Sequence, residues 1–354
     1  MINLILPVAG KSSRYPNMRP KWLITMPDGK LMIEKSISKF NLKIFDKIYV
    51  IALSEHLKKY VNKKNLIHSL KKNISSKIYL VELKRPTSCQ AETVNLAIQK
   101  AKIKGGIVIK DCDNIFKSKF DKKPSNKIMV LNLNSADLIE AKTKSYVTFD
   151  KLKKIQNIVE KKVISDFFCC GAYSFKSSLD FLRYSKKLLL KSKDVYISHV
   201  IYEMILNKHI FRSQEVEEYI DWGTVREFRN WQRKHITLFC DLDGCLVLNG
   251  SKFGKKGYRT DPIVENLKTI SKIVNTGFAE LIITTSRPDN QKKYIISLLK
   301  RFNIKSKYIL TNLLHAKRAL INDFSESNPF PSSISINLER DTKKLSTILF
   351  NLLK

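Results

Sequence analysis

Short apolar runs alternate with amphipathic, lysine-rich segments along the whole of this chain, and no other feature narrows its fold as much. Residues 4–8, 47–53, 78–83, 106–109 and 128–133 have the length and composition of buried strands. Between them, 31–40, 55–61 and 91–101 carry apolar residues at helical spacing. Strand and helix in turn imply an α/β fold with a largely parallel sheet. After Asp221 the polar stretch EFRNWQRKH intervenes, and a second alternation runs through 236–240, a helix over 263–274, then 280–284, 292–302 and 319–321, the last in the position of a strand. A length of 354 residues suits two domains. The boundary is expected near 233–235, giving domains 1–233 and 234–354 that abut without a low-complexity linker.

The first strand runs into LILPVAGKSSRYPNMRPKWLI, residues 4–24. An apolar run that stops at Gly10 and continues through Lys11, Ser12 and Ser13 is loop chemistry, with backbone N–H groups free to turn toward an anion. Arg14 and Lys21 add two cations just beyond it, as a triphosphate needs. The spacing differs from loops that end in Gly-Lys-Ser/Thr, which disfavours an ordinary P-loop kinase or ATPase. On an α/β sheet such a loop lies beyond the carboxyl ends of the strands, where ligands bind.

Two further aspartate positions suit a metal-nucleotide site. KDCDNIF puts Asp111 and Asp113 at the end of a strand, and YIDWGT carries Asp221 much later. Hard divalent cations favour carboxylate oxygens and keep other ligand positions for phosphate.

Taken in order, these motifs resemble the sugar-phosphate nucleotidyltransferases, in which a Gly-x-Gly-x-Arg loop is followed by Pro-Lys. The resemblance covers roughly residues 1 to 230 and implies a Rossmann-like domain with a GT-A-like mixed sheet. It implies that Asp113, in Asp-Asn, and Asp221, in Asp-x-Gly-Thr, hold Mg2+. Ala9, Gly10, Ser12, Ser13 and Gln90 would bind the nucleotide, with Gln90 reading the base, and Arg14 and Lys21 would act on the departing pyrophosphate. Glu160, Lys161, Gly171 and Tyr173 would line the sugar-phosphate pocket. Ser12 departs from the family's second glycine, and Cys89 stands where many relatives have glycine. A nucleoside triphosphate and a sugar phosphate are the expected partners. The rival reading within the same loop chemistry is a cytidylyltransferase for an alcohol phosphate, such as phosphocholine or glycerol phosphate, beside a non-catalytic second domain.

ITLFCDLDGCLV places Asp241 and Asp243 two residues apart after a strand. Alternate residues of an extended segment face the same way, so both carboxylates can meet one phosphate: Asp241 as nucleophile, Asp243 as the acid that protonates the leaving alcohol. This resembles the first motif of the haloacid-dehalogenase-like (HAD) phosphatases. That likeness implies a smaller HAD-like Rossmannoid domain. In LIITTSRP it assigns Thr285 to the phosphoryl group, with Thr284 and Ser286 open beside it. In HAKRALINDFS it makes Lys317 the phosphate-binding cation and Asp323 a metal ligand with Asp241 and Asp243. A fusion of this kind points to nucleotide-sugar synthesis for surface or capsule polysaccharide.

The formal charge of +33 would let the chain hold nucleic acid by counterion release. Its excess is spread along the chain as lysine, without an arginine-aromatic cluster or a known nucleic-acid module, so specific nucleic-acid binding is not expected. No apolar run reaches the roughly 18 residues needed to cross a bilayer, and no leader precedes the first strand, so a cytoplasmic location is expected. Six scattered cysteines without a CxxC pair read as reduced, packed thiols. The sequence is compatible with an oligomer.

Overall fold

The apolar runs become strands close to where the sequence places them: β1 (Ile2–Pro7), β2 (Lys47–Leu53), β3 (Ile78–Leu83), β4 (Gly106–Lys110) and β6 (Lys127–Asn132), with the short β5 (Asn114–Lys117) between the last two. The computed structural model describes residues 1–136, 139–255, 257–323 and 332–352. Cα packing divides the chain into two units, Met1–Phe228 and Arg229–Lys354.

In the first unit β7 (Ser145–Phe149), β8 (Ile155–Glu160), β9 (Phe167–Phe175), β10 (Arg212–Glu215) and β11 (Glu217–Asp221) follow. Among the described residues nine strands form one sheet, ordered β10-β6-β9-β4-β1-β2-β3, with β7 and β8 attached through β9. β1 lies parallel to both β2 and β4, and β2 parallel to β3. β9, however, runs antiparallel between β4 and β6, so the sheet is mixed rather than largely parallel. The chain reaches β9 through the β7–β8 hairpin and not over a crossover helix, and side-chain periodicity carries no record of strand direction.

Successive side chains of each central strand enter opposite layers. Ile5, Ile51, Ile107 and Ile109 join one core with Val94, Ala97 and Ile98 of helix α4. Leu4, Leu6, Ile48, Val50 and Val108 join the other with Ile33, Ile37, Leu66 and Leu70. The helices are α1 (Met32–Ser36), α2 (Ser54–Tyr60), α3 (Lys63–Asn73), α4 (Gln90–Ala101), α5 (Ser178–Leu189), α6 (Ile197–Leu206) and α7 (Val225–Arg233). The helix expected over 31–40 is confined to α1. The lysine-rich α3 escaped sequence reading because only Leu66 and Leu70 along it are buried.

The second unit is a parallel sheet of β12 (Ile236–Asp241), β13 (Ala279–Thr284) and β14 (Tyr308–Leu310). Helices α8 (Val264–Val274), α9 (Lys292–Arg301) and α10 (Leu345–Leu352) accompany it. Leu238, Leu281, Ile283, Leu267, Ile270 and Leu298 form its core. The strand expected at 319–321 is not formed. That segment is irregular, with Ile321 94% exposed, and the third strand is instead the three-residue β14, too short to register as an apolar run. Among the described residues no helix is long and apolar enough to cross a membrane. All six cysteines are free.

Candidate active site

The loop after β1 is held in a fixed shape by its own side chains. Val8 extends the pairing with β2 through its N–H to the Ile51 carbonyl (2.9 Å), and the chain then turns at buried Ala9 and exposed Gly10. Ser12 adopts φ +51°, the left-handed region that favours glycine, which accounts for a glycine at this point in the motif it departs from. Its carbonyl accepts from Tyr15 N–H (2.8 Å) and its hydroxyl from Lys21 N–H (3.2 Å), leaving the hydroxyl proton for an anion. Ser13 is exposed. Buried Tyr15 donates its hydroxyl to the Trp222 carbonyl, with the Thr224 carbonyl 3.1 Å away, so the loop is tied to the turn after β11.

Two strands bring the candidate metal ligands together. β5 pairs antiparallel with β11 so that Asp221 lies opposite Asn114, and Trp222 N–H donates to the Asp113 carbonyl (2.8 Å). Lys21 Nζ lies 2.5 Å and Arg14 Nη2 3.4 Å from the same oxygen of Asp113. Asp221 pairs with Lys144, a residue the sequence motifs did not single out; its side chain is 13% exposed and that of Asp221 3%. Burial would raise the Asp113 carboxyl, but Lys21 and Arg14 override it and hold that group well below the usual range. Burial pushes Asp221 up against the opposing charge of Lys144. Lys144 itself is held above its ordinary value, because Asp221 outweighs the burial.

Below this pair sits Lys110, fully buried at the end of β4. Its ammonium donates to the carbonyls of Asp111 (2.6 Å) and Asn114 (3.0 Å) and to Asn114 Oδ1 (2.6 Å), bracing the Asp113 turn from inside. Burial lowers it to about 8. Asp111 takes a hydrogen bond from the Gln90 amide, so the expected base-reading residue has its N–H group committed to a carboxylate. Gly171 has φ +71°, and a Cβ there would lie 2.5 Å from Asp111 Oδ2 and 2.7 Å from Asn114 Nδ2. Gly171 therefore permits the close approach of β9 to the aspartate turn and adjoins the expected pocket through its backbone.

The remaining sugar-side residues are dispersed. Glu160 accepts from the Ser145 and Ser198 hydroxyls, the latter at 2.6 Å. Lys161 reaches the Tyr196 hydroxyl rather than the aspartate pair. Tyr173 is a core side chain, its hydroxyl pushed up by burial. Beside the loop a cavity of about 310 Å³ is lined by Lys11, Ser12, Tyr15, His56, Tyr60 and Pro86 among others.

In the second unit Asp241 and Thr284 are register partners at the carboxyl edge of β12 and β13. Asp243 is gripped by Arg287, a wholly buried guanidinium whose Nη2 lies 2.6 Å and Nε 3.0–3.1 Å from its carboxylate. Thr285 Oγ1 donates to Asp243 at 3.3 Å. Burial raises the Asp241 carboxyl, opposed by the Leu242 backbone N–H and by the charge of Arg318. Lys317 and Asp323 are exposed. No three His, Cys, Asp or Glu side chains among the described residues are grouped to hold a metal, so Asp323 is not brought to Asp241 and Asp243.

No family model and no curated protein matches this chain. Solved structures do. The nucleoside-diphosphate-sugar pyrophosphorylase from Vibrio cholerae RC9 is 20% identical with a TM-score of 0.56, the match covering 65% of this chain and 99% of that one. A UDP-glucose pyrophosphorylase complexed with UDP-glucose is 16% identical with a TM-score of 0.50, over 64% and 96% of the two chains. The share covered equals in size the first unit, and what the likeness establishes is the mixed α/β fold these pyrophosphorylases possess.

Proposed function

We propose that the first unit transfers a nucleotidyl group from a nucleoside triphosphate to a sugar 1-phosphate, releasing pyrophosphate. The observation that carries this reading is the meeting of the β1 loop, Asp113 and Asp221, with Lys21 and Arg14 on one carboxylate oxygen of Asp113. In the reaction a phosphate oxygen of the sugar phosphate bonds to the α-phosphorus, and the bond from that phosphorus to the bridging oxygen of pyrophosphate breaks. The attacking phosphate is already an anion near neutral pH, so no general base is needed and no histidine has a part. Catalysis reduces to positioning and charge neutralisation. Loop N–H groups and the Ser12 hydroxyl hold the triphosphate, and Arg14 and Lys21 offset charge on the departing pyrophosphate. Glu160 and Lys161 orient the sugar phosphate, while Gln90 faces the base through its free carbonyl.

The donor set suits Mg2+. Two hard oxygen donors at the ends of neighbouring segments, each already facing a cation, fit an ion that takes one or two carboxylates and fills its remaining positions with water and phosphate. Asp113 and Asp221 would hold it, and it would supply positive charge to the phosphates when bound.

The second unit is, on this reading, a HAD-like phosphatase: Asp241 attacks phosphorus while the ester bond to the leaving alcohol breaks, the alcohol takes its proton from water because the expected donor Asp243 is paired with Arg287, Thr285 holds the phosphoryl group, and water then frees phosphate. The parallel sheet edge that carries Asp241 and Thr284 supports it. The donor set there does not fit the expected metal trio, since Asp243 is committed to Arg287 and Asp323 is exposed. A role in nucleotide-sugar synthesis for surface polysaccharide would join the two activities. The test is product formation by 31P NMR from a panel of nucleoside triphosphates and sugar 1-phosphates, with p-nitrophenyl phosphate hydrolysis and Asp241→Asn for the second unit. Nucleotide-sugar signals support the transferase, and their absence across the panel refutes it.

A further inference from the structure

We infer that Lys144 fills the cation position on Asp221 until a divalent metal takes it, and that the ammonium released by this exchange binds the phosphate of the incoming sugar phosphate. The inference rests on the reading of Asp113 and Asp221 as metal ligands.

Three observations carry it. Lys144 Nζ is on Asp221 Oδ2, and Oδ1 accepts the Gly223 N–H at 3.2 Å, so each oxygen of this carboxylate has a donor and a metal on Oδ2 would have to share it with the ammonium. A cation and an ammonium competing for one buried carboxylate oxygen repel each other strongly when little water lies between them. Metal and Lys144 are therefore alternatives on that oxygen.

Second, the anchoring of Lys144 directs where it goes. Its carbonyl accepts from Lys161 N–H (3.0 Å), and the next residue, Ser145, pairs with Glu160 in the β7–β8 register and binds its side chain. The backbone of Lys144 is thus fixed to the segment assigned to the sugar phosphate, while only its side chain reaches across to Asp221. Third, the Tyr219 hydroxyl at 3.3 Å is a weak competitor, and the Asp113 and Glu227 carboxylates act on the ammonium only through space among the described residues, so an ammonium displaced from Asp221 is held there without a second hydrogen-bonded carboxylate. An incoming phosphate dianion is the partner that position lacks. Metal and sugar phosphate then bind cooperatively through this one side chain.

The test uses Mn2+ alone, titrated into the full-length protein and read by electron paramagnetic resonance. Lys144→Gln should bind Mn2+ about tenfold tighter or more than the wild type, and Lys144→Arg, which keeps the charge, no tighter. In the wild type, acetylation of Lys144 followed by mass spectrometry should speed up when Mn2+ is added, a readout that needs no variant to fold. Calorimetric titration of inorganic phosphate should show Mn2+ tightening binding in the wild type and doing so less in Lys144→Gln. Equal Mn2+ affinity in wild type and Lys144→Gln, or acetylation indifferent to Mn2+ in a protein that binds it, overturns the exchange. Loss of the phosphate difference overturns the transfer to phosphate. Failure of every protein to bind Mn2+ refutes the metal reading of Asp113 and Asp221, and the inference with it.

Discussion

At Gly171 any side chain would strike the carboxylate of Asp111 in a backbone conformation that L-residues rarely adopt. Gly171→Ala should cost roughly 2 kcal/mol or more, from the strained φ together with overpacking, measured by urea denaturation. Asp111 is a second residue-scale test. Burial raises its carboxyl above the unfolded value, with Asp113 adding to the effect. The folded chain thus binds that proton more tightly than the unfolded one, so the associated stability is intact below the unfolded value near pH 4 and is lost as pH rises through the raised one. Asp111→Asn keeps an acceptor for Gln90 and removes the titration. Its melting temperature should match wild type near pH 4 and exceed it at pH 8 by roughly 2–4 °C; the opposite trend would contradict the burial of that charge. Asp113, Asp221, Arg14 and Lys21 were legible in the sequence because each sits in a motif. Lys110 and Arg287 stand inside quoted motifs but were given no role, and Lys144 lies in none, since a lysine or arginine matters here through what encloses it and the chain has 65 of them.

Elements were legible where an apolar run was long enough to stand out, not in proportion to burial: the partly exposed β3 was read and the short, buried β5 was not. β2 and β3 have the bounds read from the sequence, because both are mostly apolar runs, although β3 is an edge strand with Tyr79 exposed and Glu82 half-buried. The short β5 and β11 were not seen as strands, yet their pairing places Asp221 opposite Asn114 and so assembles the site from positions far apart in the chain. The segment read as a polar stretch before the second domain is α7, and a capping box starts it: Thr224 N–H donates to Glu227 Oε2 (2.8 Å) and Glu227 N–H to Thr224 Oγ1 (3.3 Å). Charged side chains concealed that helix because apolar periodicity is what the eye follows. Glu227→Ala should lower stability by about 1 kcal/mol in chemical denaturation, the usual cost of a lost cap.

For the whole molecule, the separate cores make the strongest prediction. The two cores of the first unit and the core of the second share no residue, so each unit has its own apolar interior. A chain ending at Arg233, which keeps α7, should fold cooperatively in circular dichroism and retain pyrophosphate release to within about twofold, as expected of a domain with its own core. The interruption of the alternation points to a boundary near 233–235, where Cα packing divides the chain after Phe228, inside α7; the loss of the 319–321 strand was not legible, because a three-residue apolar run reads the same exposed or buried. The central claim is that Asp113 and Asp221 form one phosphoryl-transfer centre with the β1 loop, and pyrophosphate release with Mg2+, a nucleoside triphosphate panel and sugar 1-phosphates tests it most directly. Wild-type protein should release pyrophosphate only when both substrates are present, and Asp113→Ala and Asp221→Ala should each lower the rate by about 10²–10³-fold while the protein stays folded. Undiminished release in either variant would contradict the claim.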